Sequence, residues 1–103
     1  MTVQHIVLFK FPCELTEAED AQMRAMVASW PEKIGLMTKV RLGKDLTRGR
    51  NRGYSHLLYT EFPDFDAMTA YRAHPAHVEF LGFINDLDCE PLPSTTCWTG
   101  TPS

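Results

Sequence analysis

Val3-Gln4-His5-Ile6-Val7-Leu8-Phe9-Lys10-Phe11 is the stretch whose alternation decides the architecture. β-Branched and aromatic residues dominate it and Pro12 ends it, so it reads as a strand. Successive side chains of a strand point to opposite faces, which puts Val3, His5, Val7, Phe9 and Phe11 on one face and Ile6 and Leu8 on the other. Both faces are apolar at mid-strand. A sheet built on this strand must therefore be covered on both sides.

Working outward, residues 15–30 read as a helix with Thr16 and Glu19 as a capping box and Pro31 as its stop. A second strand runs over 37–46, with Val40 and Leu42 on one face and Lys39 and Arg41 on the other. After a glycine- and arginine-rich turn, the third strand covers 54–62. Tyr54, His56, Leu58 and Thr60 share one of its faces, and Leu57 and Tyr59 the other. Asp64 caps a short helix through Tyr71, and Pro75 opens another that is expected to turn Val78, Phe80, Leu81 and Ile84 inward. Residues 91–93 read as irregular and 95–98 as a last strand. Strand, helix, strand, strand, helix, strand is the split βαβ order, so the expected fold is α+β and ferredoxin-like. Helices then cover one sheet face, while Ile6, Leu8, Leu57 and Tyr59 leave the second face apolar. Pairing two copies through that face into a dimeric α+β barrel removes the exposed patch.

The 103 residues suffice for one domain spanning 1–103, and 44% apolar with 22% charged residues is ordinary for a globular protein. A net charge of −3 offers little attraction to nucleic acid or anionic lipid. Arg48, Arg50 and Arg52 form the sole basic cluster, without interleaved aromatics for base stacking, and read as a solvated turn. Cys13, Cys89 and Cys97 are odd in number and widely spaced, which argues against a disulfide framework or a zinc ribbon. With no basic leader and no apolar run of membrane-spanning length, a soluble cytoplasmic protein is expected.

Chemistry concentrates in Tyr71-Arg72-Ala73-His74-Pro75-Ala76-His77, a phenol and two imidazoles around a helix-breaking proline. Six positions apart, Tyr71 and His77 would diverge on a continuous helix, but the break lets both turn into one hollow. A helix amino terminus disfavours an imidazolium, so His77 suits a general base, with Tyr71 as its orienting partner or as a donor to an oxyanion. His5 and His56 lie on strand faces directed at the helices, where polar rings are costly unless bonded or used. Val7, Phe9, Met23, Arg24, Val27, Val40, Leu58 and Phe80 complete the candidate wall of a small-molecule site. The competing reading makes Tyr71 and His77 packing residues with satisfied polar tips. No carboxylate or cysteine joins the histidines in a metal pattern and no glycine-rich phosphate cradle is present, so neither metal nor cofactor is expected.

His5-Ile6-Val7-Leu8-Phe9-Lys10-Phe11, Leu15-Thr16-Glu17-Ala18, Gly43-Lys44-Asp45, Gly53-Tyr54-Ser55-His56 and the block from Tyr71 through His74-Pro75-Ala76-His77-Val78 to Phe80 together resemble the stress-responsive dimeric α/β-barrel (Dabb) family. The resemblance implies a ferredoxin-like protomer paired through its sheets. It also implies, from a polyketide-cyclising plant member, a cofactor-free aldol ring closure. His77 would then be the general base, Tyr71 its hydrogen-bonding partner, and His5 and His56 supporting polar groups. Other members imply two alternatives, a non-catalytic stress-responsive binding protein and a cofactor-independent monooxygenase.

Overall fold

The computed structural model describes residues 2–47 and 52–98; Arg48 and Arg50 of the basic turn lie outside the described residues. In chain order the elements are β1 (Thr2–Lys10), α1 (Glu17–Ala28), α2 (Trp30–Lys33), β2 (Lys39–Lys44), β3 (Tyr54–Phe62), α3 (Phe65–Ala73), α4 (Pro75–Asp86) and β4 (Glu90–Trp98). The four strands form one sheet in the order β2-β3-β1-β4, every neighbouring pair antiparallel. This is the ferredoxin-like α+β arrangement expected from the element order. Among the described residues, no helix is long and apolar enough to cross a membrane.

Local chemistry explains the element boundaries. The Thr16 hydroxyl accepts from the Glu19 amide at 3.1 Å and the Glu19 carboxylate accepts from the Thr16 amide at 2.9 Å, which starts α1 with a reciprocal cap. Pro31 does not close that helix. Ser29 does, donating its hydroxyl to the Met26 carbonyl at 2.6 Å, while Pro31 sits in the first turn of α2, where a missing amide hydrogen leaves no gap. Gly35 then reverses the chain at φ +68°, a left-handed position that suits glycine. His74 ends α3 with extended backbone, as the residue before a proline prefers, and its ring nitrogen caps α4 by accepting from the Ala76 amide at 3.1 Å.

Val3, Val7 and Phe9 of β1, Leu58 and Phe62 of β3, and Met23, Val27, Trp30, Met68, Tyr71, Phe80 and Ile84 of the helices build the core on one side of the sheet. Two inward assignments differ from expectation: Val78 is 54% and Leu81 43% exposed, because the face of α4 that meets the sheet is His77, Phe80 and Ile84. The tail differs more. Residues 91–93 are not irregular; β4 pairs with β1 from Glu90 to Trp98, with Pro91 opposite Phe9 and Pro93 opposite Val7. β4 is an edge strand, and prolines two apart share one orientation, so both imide nitrogens can face away from β1 without breaking its ladder. On the opposite sheet face, Leu8 lies between Leu57 and Leu92 across three strands, and those two are 38% and 49% exposed.

Candidate active site

A cavity of about 570 Å³, partly open to solvent, lies between the sheet and the paired helices α3 and α4. Each element contributes the face its period dictates. β1 supplies His5, Val7 and Phe9, and β4 supplies Pro91, Pro93 and Thr95, alternate residues in both cases. α3 supplies Thr69, Arg72 and Ala73 at i, i+3 and i+4, and α4 supplies His77, Phe80, Leu81 and Ile84 on the matching stripe. Leu58 of β3 closes the floor. The wall is largely apolar with a few converging polar groups, and the volume is that of a small-molecule site.

His77, in the first turn of α4 after Pro75, is buried in this wall. Its Nδ1 lies 3.1 Å from the Arg72 carbonyl oxygen, and since a carbonyl only accepts, Nδ1 carries the hydrogen. Nε2 is left with the lone pair. Burial pushes the His77 pKa below the usual imidazole value; the Arg72 carbonyl opposes that shift and the Arg72 charge adds to it. His5 is lowered for related reasons, burial first, then the charges of Arg72 and His77. Its Nδ1 lies 2.9 Å from the Thr95 hydroxyl, which ties β1 to the edge strand inside the cavity.

Tyr71 and His77 do come together. Their ring centroids are 4.4 Å apart at 53°, and Trp30 and Phe62 pack on the phenol ring at 5.5 and 5.0 Å. The ring is wholly buried beside the cavity and is not part of its wall, and the hydroxyl has no hydrogen-bond partner among the described residues. Desolvation raises its pKa well above the ordinary phenol range, so the group stays protonated. Its unspent capacity is that of a donor.

His56 lies elsewhere. Its Nε2 meets the Asp20 carboxylate of α1 at 2.8 Å and its Nδ1 meets the Ser55 hydroxyl at 2.7 Å, away from the cavity wall. Asp20 also accepts from Arg24 at 2.9 Å, and these two hydrogen bonds, Arg24 first, lower its pKa. Arg24 is thereby an exposed partner of Asp20, Met23 and Val27 are buried in the core, and Val40 is half-buried on β2; none of the four lines the cavity. Val7, Phe9, Leu58 and Phe80 do. Among the described residues no group of three or more His, Cys, Asp or Glu is placed to hold a metal.

The family model for the stress-responsive A/B barrel domain matches residues 3–88. The chain belongs to this family. Olivetolic acid cyclase from Cannabis sativa is 33% identical over 81 residues, 78% of this chain and 80% of that protein. The stress-response A/B barrel domain-containing protein HS1 from Arabidopsis thaliana is 31% identical over 88 residues, 84% and 81% of the two chains. A solved structure from Bacteroides fragilis, described as a dimeric protein of unknown function with a ferredoxin-like fold, superposes with a TM-score of 0.80 at 24% identity, covering 94% of this chain and 96% of that one.

This A/B barrel chain adds groups that the reading of its sequence passed over. Arg72 and Thr69 share a helical face with Ala73, a 3-4 spacing visible in the sequence once α3 is drawn through Ala73. Pro91 and Pro93 were hidden because prolines disguise the start of the edge strand; Thr95 falls in the expected strand, but its place beside His5 depends on the pairing of β4 with β1. The family match ends at residue 88, before that strand begins.

Proposed function

We propose that this chain, as a single A/B barrel unit over residues 1–103 paired with a second copy, is a cofactor-free acid/base catalyst acting on a small carbonyl compound. The reaction class favoured is a polyketide cyclase-like intramolecular aldol closure, a carbon–carbon lyase chemistry run in the direction of bond formation. One observation carries the reading: a buried His77 whose Nδ1–H is fixed by the Arg72 carbonyl at 3.1 Å, leaving a neutral Nε2 in a ligand-sized cavity. Nε2 takes a proton from an activated carbon flanked by carbonyls. The resulting enolate carbon bonds to a carbonyl carbon farther along the same molecule, and the imidazolium returns the proton to the new alkoxide. The protonated Tyr71 hydroxyl lies behind the wall, so its donation to that oxyanion requires the bound substrate to part the wall beside His77, while His5 with Thr95 orients carbonyl oxygens.

The dimer is proposed to form through the face bearing Leu8, Leu57 and Leu92, an apolar row in which Leu57 and Leu92 are exposed and Leu8 is half-buried. The dimeric structural neighbour supports pairing. Free thiols at Cys13, Cys89 and Cys97 support a cytoplasmic setting.

The test is turnover of a linear poly-β-keto acid followed by the appearance of the ring product. His77→Ala should slow it by about 10²- to 10⁴-fold. Unchanged turnover in that variant rejects the assignment. A second reading, a binding protein without turnover, is favoured by the Tyr71 hydroxyl lying outside the cavity wall. It requires saturable binding of the same compound and no conversion.

A further inference from the structure

The charge of the cavity is unbalanced. Among the described residues, Arg72 is the single cationic side chain in the wall, and no aspartate or glutamate lines it. No ion pair engages the Arg72 guanidinium among the described residues, whereas Arg24 has Asp20 and Lys39 has Glu61. Arg72 is exposed, so it stands at the rim, and its own carbonyl holds the buried His77 at 3.1 Å. Below it the wall is apolar, formed by Val7, Phe9, Leu58, Phe80 and Ile84.

We propose that the substrate is an oxo acid: a carboxylate caught by Arg72 at the rim, an apolar body along Phe9, Phe80 and Ile84, and the acidic C–H beside His77. A guanidinium presents a planar fork that matches a carboxylate with two parallel N–H donors, and a wall without acids adds no repulsion. The same charge helps keep His77 and His5 neutral, so an incoming anion meets a proton acceptor and not a second cation. The substrate class rests on the proposed function, because it takes this cavity as the reacting site.

The experiment compares two isosteric probes, 2-naphthoate and 2-naphthamide, by isothermal titration at pH 8 and low salt. The carboxylate should bind about 5- to 20-fold more tightly than the amide to the wild-type protein, the range for one charge-assisted contact at a partly exposed site. Arg72→Gln should erase that preference while leaving 2-naphthamide binding within about twofold, and Arg72→Lys should retain part of it because a point charge replaces the fork. Equal affinity for the two probes, persistence of the preference in Arg72→Gln, or no binding of either probe at millimolar concentration overturns the inference. His77→Ala should keep the preference. A protein that discriminates the probes but turns nothing over would defeat the catalytic reading and leave the recognition by Arg72 standing.

Discussion

Replacing Tyr71 by Phe should make the protein more stable and less active. The hydroxyl is buried, it has no hydrogen-bond partner among the described residues, and four rings pack around the phenol ring: Trp30, Phe62, His5 and His77. An unsatisfied hydroxyl costs about 1–3 kcal/mol in a folded interior. Phenylalanine keeps the ring and its edge contacts and removes the oxygen, and the small void left behind returns a fraction of that gain. A net stabilisation of about 1 kcal/mol follows, which for a chain of this size raises the midpoint of thermal unfolding by about 4–8 °C. Turnover should fall by about 10²- to 10³-fold, the loss of a single oxyanion donor that acts in the transition state. The assay pairs calorimetric melting of both proteins at one concentration with initial rates on the poly-β-keto acid. A lower melting temperature would mean that the hydroxyl is bonded in the native protein, and an unchanged rate would remove the phenol from the chemistry. Either result refutes the reasoning that a buried donor is retained for the reaction at the expense of stability.

Three further outcomes are expected. Burial lowers the pKa of His77 and His5 below the unfolded value of 6.5, so the unfolded chain binds more protons there; stability should fall as pH drops through 6.5 toward the lowered values and stay flat above about 7.5. Urea midpoints across pH 5 to 8 check this, and the acid limb of kcat/KM should have its midpoint below 6.5; a limb above 6.5 contradicts a desolvated base. Leu57→Asp, placing a charge in the apolar row beside Leu8, should convert the proposed dimer to monomer in light scattering, and an unchanged mass would move the interface off this face. Phe80→Ala removes a ring that is 1% exposed and packs edge-on to Phe9 and Trp30 at 5.8 and 5.1 Å, and should destabilise the fold by about 3–5 kcal/mol in denaturant titrations. A loss under 1 kcal/mol would show that the cavity lets the neighbours collapse.

Much of the site was legible because it rests on local rules. Pro75 forces a break whatever surrounds it, His74 must be extended before it, and His77 then falls in the first turn of α4, so the meeting of Tyr71 and His77 follows from the backbone. Alternation along β1 placed His5, Val7 and Phe9 on the helix-facing side, and all three line the cavity. What failed depended on distance in sequence. His56 shares the helix-facing side of the sheet, yet Asp20, 36 positions earlier, holds it at 2.8 Å on another part of that side.

The sequence by itself determined the order of elements, the faces of β1 and β3, and the joint at Pro75, since each follows from the conformational preferences of a few consecutive residues. The tertiary structure alone decided that two prolines could join a strand, that His56 would be spent on Asp20, and that Arg72 would stand over the cavity with no ion-pair partner among the described residues. Those outcomes depend on which edge a strand occupies and which charges come within a few ångströms, and both are set only when distant segments pack.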